Sequence, residues 1–232
     1  MNNNLLQIKI KQRLNKLASL DYDNIECWQI AEAFNKAQIE WTRRQIRGVN
    51  IKKEGSEQSQ GIVDDLQRLI RQTTLNMTDK VNYYQSEKLP EEYLQFIRTD
   101  VFAKQECCPE RRIIVYSVEE ADISIILDND NKKPSFEWGE TVAIIADNTF
   151  SIYTDRQFDI TSIDLTYYRK PVPVSFANCV DISTGQATPD VPCEFKDDVA
   201  EILVDNAVMI LAADIESFNQ YTRANTSIQT NT

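Results

Sequence analysis

Apolar residues at the start of the chain recur at helical spacing. Leu5, Leu6, Ile8, Ile10, Leu14, Leu17 and Leu20 predict a first helix, with Lys9, Lys11, Arg13 and Lys16 between them as a solvated basic face. Asp21-Tyr22-Asp23-Asn24 offers N-cap residues for a second helix that runs to the neighbourhood of Arg47. Within it Ile30, Phe34, Ala37 and Trp41 fall at steps of four, three and four and share one face, and Gly48 is placed to stop it. Residues 48–60 are polar, hold two glycines and read as an exposed loop. A third helix is expected over 59–72, turning Ile62, Leu66, Leu69 and Ile70 inward.

The period then changes. Leu75, Met77, Val81 and Tyr83 alternate loosely, as strand residues do. Leu89-Pro90-Glu91-Glu92-Tyr93-Leu94 predicts a turn leading into 95–103. The β-branched run at 113–118 predicts a strand, and 119–127 a short helix carrying Ile123, Ile126 and Leu127. Residues 142–146 and 149–154 flank Asp147-Asn148, a two-residue hairpin turn. Ile163, Leu165 and Tyr167 share one face of a strand over 163–168, which Pro171 and Pro173 end. Residues 171–192 hold four of the chain's seven prolines and one glycine, the composition of a long irregular loop.

After Pro192-Cys193-Glu194-Phe195, helical spacing returns with Val199, Ile202, Leu203, Asn206, Ala207, Ile210 and Ala213. Past Phe218 the pattern stops in a polar tail that cannot bury enough apolar surface to order itself. The tail is expected to be extended and docked on a neighbouring subunit, with Phe218, Tyr221 and Ile228 as apolar anchors and Arg223 as its cation. The expected fold class is α+β: a helical hairpin or bundle from both chain ends, packed beside a central antiparallel β-sheet. Its divisions are a helical region over 1–72, a β region with long loops over 73–192, a C-terminal helix packing with the N-terminal helices over 193–217, and the tail over 218–232. Ile30, Phe34, Trp41, Leu66, Ile114, Ile144, Leu165 and Ile202 are the expected core, and the loops 48–60 and 171–192 the expected subunit contacts.

Composition narrows the function classes. The chain has 232 residues, 42% hydrophobic and 26% charged, the balance of a soluble globular protein. No apolar run approaches the roughly 18 residues of a membrane span. Met1-Asn2-Asn3-Asn4 lacks the basic-then-apolar layout of a signal peptide, so neither membrane nor export is expected. A net charge of −11 disfavours general binding to a DNA backbone, although an acidic wall suits a conduit through which DNA slides. The five cysteines, an odd count, are expected to be reduced thiols, with the adjacent Cys107 and Cys108 a detail of a loop. Histidine is absent, which removes the commonest general base and most catalytic zinc sites. No nucleotide-binding glycine motif occurs. The expectation is a protein without catalytic residues, cofactor or metal.

The remaining candidates are carboxylates and aromatics. Glu119 with Glu120, Asp128 with Asp130, and Asp197 with Asp198 are sequence neighbours, which does not place two carboxylates on opposite sides of a bond. Asp128-Asn129-Asp130-Asn131 opens like a calcium loop but has Lys133 and Gly139 where that loop needs glycine and glutamate. Tyr167-Tyr168-Arg169-Lys170 mixes aromatic and basic residues as a single-strand platform does, and a sheet core accounts for the same aromatics.

Several segments in order carry a resemblance: 31–41 (AEAFNKAQIEW), the polar loop, Leu66-Gln67-Arg68-Leu69-Ile70, 89–94 (LPEEYL), 134–141 (PSFEWGET), 165–171 (LTYYRKP) and the closing Cys193-Glu194-Phe195 helix. Together they resemble the virion ring proteins of crAss-like phages and, more distantly, the head-to-tail adaptors of short-tailed phages. The resemblance implies a structural protein at the head–tail junction of the virion, assembled in the host cytoplasm. It implies a dodecameric homo-oligomeric ring that binds the portal protein and adjacent tail ring proteins. Genomic DNA would pass through its channel without specific binding. Alternatives are another ring further down the tail barrel, a carboxylate-dependent hydrolase, or a monomeric binding module with a disordered tail.

Overall fold

The strands of this protein close on themselves. The computed structural model describes residues 1–15, 25–47, 64–106, 108–181, 184–214, 222 and 224–226. They divide into two compact units, Leu69–Lys170 and Met1–Arg68 with Pro171–Thr232.

The first unit is a β-barrel. Its strands are β1 (Ile70–Asp79), β2 (Tyr84–Ser86), β3 (Tyr93–Gln105), β4 (Cys108–Ser117), β5 (Glu140–Ala146), β6 (Thr149–Tyr153) and β7 (Asp159–Arg169). They close in the order β1-β2-β6-β5-β4-β3-β7, with β7 returning to β1. Pairing is antiparallel except between β4 and β5, where Ile114 aligns with Glu140 in parallel register. The connection between them holds a 3₁₀ turn, Glu120–Asp122, and a short helix, Ile123–Leu127, in which Ile123, Ile126 and Leu127 are partly buried and Ile125 is exposed. Between β5 and β6, Asp147 and Asn148 have φ of 47° and 59°, the left-handed pair of a tight hairpin turn.

The expected α+β architecture with an open central sheet is thereby overturned: the sheet is a closed barrel. Closure rests on pairs such as Ile70 with Tyr168 and Tyr84 with Ile152, which join residues far apart along the chain. Local alternation carries no record of such pairs. Inward positions fill the barrel, among them Leu75, Val101, Ile113, Phe150, Ile163 and Leu165. Burying a side chain of this size contributes about 1.5–3 kcal/mol. Of the expected core, Ile114 is corrected: it is 57% exposed and its neighbour Ile113 is buried, because adjacent strand residues face opposite sides. The third helix ends earlier than expected: residues 64–66 are helical, Gln67–Leu69 form a 3₁₀ turn and β1 begins at Ile70.

The second unit is helical. Its long helices are Asn3–Asn15, Cys27–Arg47 and Asp197–Asp214, here called the first, second and last helices. The last packs against the other two. Ile30, Phe34 and Trp41 are buried on the second helix, where Trp41 meets Phe195 edge-on at 5.3 Å. Ile202 is only half-buried, while Leu203 beside it is fully so. The basic face expected on the first helix is in part a contact surface: Lys9 pairs with Glu201, and Arg13 with Glu201 at 2.5 Å and Asp205 at 2.6 Å.

The segment after Pro171 is irregular but anchored. Bridges join Ser175 to Val191 and Val180 to Ala187. Asn3 Nδ2 donates to the carbonyls of Ser175 and Val191 and to Asp190, and Asn35 both donates to the Val174 carbonyl and accepts from its amide. Cys27 and Cys179 form a disulfide with a Cα separation of 5.9 Å, which corrects the expectation of reduced thiols for this pair. Cys193 is a free thiol, buried, and burial pushes its pKa up.

Candidate functional site

One end of the barrel carries a charge, that of Arg111, with no ion pair among the described residues. Arg111 lies on β4 two residues before Ile113, on the inward side, opposite Ala103 of β3. A turn at 135–139 lies beside it, closed by the bridge between Ser135 and Glu140. Phe136 of that turn is buried and tilts against Phe158 at 5.8 Å. The Arg111 guanidinium carbon stands 4.2 Å from the Phe136 ring centroid, a stacked cation–π arrangement. Nε and Nη2 of Arg111 are buried and have no hydrogen-bond partner. Gly139 has φ of 70°, and a Cβ built there would lie 3.7 Å from Nη2. Its carbonyl accepts from the Ile114 amide at 2.8 Å, which fixes the turn on β4. Next to Gly139, Trp138 is 83% exposed.

Several other ionic groups in this unit have partners. Arg112 reaches Asp100 at 2.7 Å, and Arg156 reaches Asp79 at 2.8 Å. Tyr84 donates to Asp159 at 2.7 Å and Tyr167 to Glu92 at 2.8 Å. Burial first, then the adjacent carboxylate, pushes both phenols up to about 12.

A groove of about 310 Å³ lies in the helical unit between the second and last helices, lined by Ile25, Trp28, Ala33 and Leu211 with Glu32, Lys36 and Asp214 at its polar margin. It is an apolar cleft with charged edges, and its described lining holds no Ser, Thr or Cys.

The candidates read from the sequence are dispersed. Phe218, Tyr221, Arg223 and Ile228 lie outside the described residues, and of the tail residues 222 and 224–226 are helical. Thr226 Oγ1 donates to the Thr222 carbonyl one turn back, and Ala224 is buried. Glu119 and Glu120 are exposed ahead of the short helix. Asp130 pairs with Lys133 at 2.6 Å, which holds its carboxyl below the usual range. Asp197 receives the N-terminal ammonium, and its carboxyl is lowered by that hydrogen bond. Among the described residues no group of three or more Cys, Asp or Glu is arranged to hold a metal. Tyr167 faces the barrel interior, 5.7 Å from Tyr93, and belongs to the core. The loop over 48–60 lies outside the described residues. Arg111 is the residue the sequence reading missed; its parity with Ile113 and Val115 in a continuous strand was the available signal.

Comparison with known proteins finds no family model that matches the chain and no matching curated protein.

Proposed function

We propose that this chain is a structural virion protein that assembles into a ring of about twelve copies, the closed symmetric form favoured by self-associating subunits. The ring would join the portal to the tail and leave a channel through which DNA passes. The observation that carries the reading is the display of large apolar side chains on the single chain. Trp138 is 83% exposed, Val81 92%, Ile114 57% and Ile8 51%. Large apolar side chains left exposed on a single chain are the kind that neighbouring subunits cover. The net charge of −11 supports the channel role, because it disfavours tight binding to the phosphates that must slide past. The reading assigns no catalytic step to the chain. Assembly in a reducing cytoplasm would proceed with Cys27 and Cys179 as thiols, and the bridge would form where an external oxidant such as oxygen takes up the two electrons and two protons.

The test is a symmetric reconstruction of the head–tail junction of the particle that encodes this chain. Density for a ring of this fold between portal and tail supports the proposal. A complete junction built without this fold contradicts it.

A further inference from the structure

We propose that the barrel end at Arg111 is an oxyanion site, binding a carboxylate or a phosphate through one edge of the guanidinium. The two unpartnered nitrogens, Nε and Nη2, are the two donors of a single guanidinium edge. That edge matches two oxygens of a carboxylate or phosphate and binds them by paired, charge-assisted hydrogen bonds. Stacking on Phe136 engages the face of the guanidinium and leaves its in-plane N–H groups unmet. Leaving such donors buried without an acceptor is unfavourable. A structure that only needed to fill this position would be served by an apolar side chain stacked on Phe136.

The surroundings suit a small anion. Phe136 is a flat wall that orients the guanidinium. Gly139 takes a φ of 70°, and a Cβ there would make van der Waals contact with Nη2 at 3.7 Å, so this turn runs directly beside that nitrogen. Arg111 as a whole is partly exposed, while Nε and Nη2 are themselves buried, so an anion on that edge would be enclosed. The other arginines quoted on this unit, Arg112 and Arg156, already face Asp100 and Asp79, and a site at Arg111 therefore differs from a general basic surface. The site stands on these contacts alone and does not depend on ring assembly.

The experiment uses the folded full chain, isotopically labelled, with the Arg111 Nε–H resonance as the readout. Inorganic phosphate and acetate are titrated separately, against chloride at matched ionic strength. A saturable shift with phosphate alone assigns phosphate as the ligand chemistry. One with acetate assigns a carboxylate, and one with both assigns an oxyanion site of either kind. Arg111→Lys keeps the charge but loses the two-donor edge, and should weaken binding by about tenfold or more, the value of a charge-assisted hydrogen bond. Should that variant fail to fold, the wild-type titration decides alone. Neither oxyanion moving the wild-type resonance beyond the chloride control overturns the proposal.

Discussion

In the barrel, one continuous stretch of chain supplies every strand, and neighbours are joined by backbone hydrogen bonds around a closed ring. In the helical unit, the two ends of the chain meet, and side chains join them: Arg13 with Glu201 and Asp205, Asn3 with the carbonyls of Ser175 and Val191, Trp41 with Phe195, and Cys27 with Cys179. A backbone ladder does not depend on which side chains its strands turn outward. A unit held by specific side-chain pairs is sensitive to each pair. The difference teaches where single substitutions will be felt, and it can be broken or sharpened by experiment.

The largest effects should come from the two cores. Phe150→Ala in the barrel and Phe34→Ala in the second helix each empty a fully buried site and should cost about 3–5 kcal/mol. Hydrogen exchange should show the loss of protection concentrated in β5 and β6 for the first and in the second and last helices for the second. Equal loss in both units from either variant would erase the distinction.

Reduction of Cys27–Cys179, or Cys27→Ala with Cys179→Ala, should come next. The bridge closes a sequence separation of 152 residues, and removing it should cost about 2–4 kcal/mol. Urea denaturation with and without reductant measures this, and the lost protection should fall in the helical unit. No change in midpoint would show that the bridge adds nothing to the side-chain contacts around it.

The barrel has its own sensitivity, to alkali. Tyr84 and Tyr167 keep their protons to about 12 in the folded chain, whereas an unfolded tyrosine ionises at about 10. The folded state thus holds more protons between these values, so stability is full below about pH 10 and falls as pH rises towards about 12. Each phenol should account for roughly 1–3 kcal/mol of that fall. Denaturation at a series of alkaline pH values checks it, and Tyr84→Phe should flatten the slope. An unchanged slope in that variant would assign the alkaline loss to other groups.

The smallest effect should be that of Arg13→Ala. Its partners are partly exposed to solvent, so the cost should be about 0.5–1 kcal/mol, and less at high salt.

The same contrast explains what the sequence disclosed. Helical spacing is local, so the buried positions Ile30, Phe34 and Trp41 were readable from their own neighbourhood. The Asp147-Asn148 turn was readable because few residue pairs adopt two left-handed conformations in succession. Barrel closure was not readable, because it lies in pairs such as Tyr84 with Ile152. The run Ile113-Ile114-Val115 hid its own register, since β-branched residues on both faces mask alternation. The disulfide was hidden for a related reason: an odd cysteine count names no pairing, and Cys27 and Cys179 meet only once the long loop is anchored on the second helix. Arg111 stood in plain sight before that run, but its lack of a partner is a property of the folded barrel.

The most direct test of the assembly account is sedimentation velocity of the purified full chain under oxidising conditions, alone and with the portal protein. The account predicts a discrete, ring-sized species, with Trp138→Asp and Ile114→Asp shifting it towards single chains while each remains folded. A single chain at every concentration, unchanged by the portal, would contradict it.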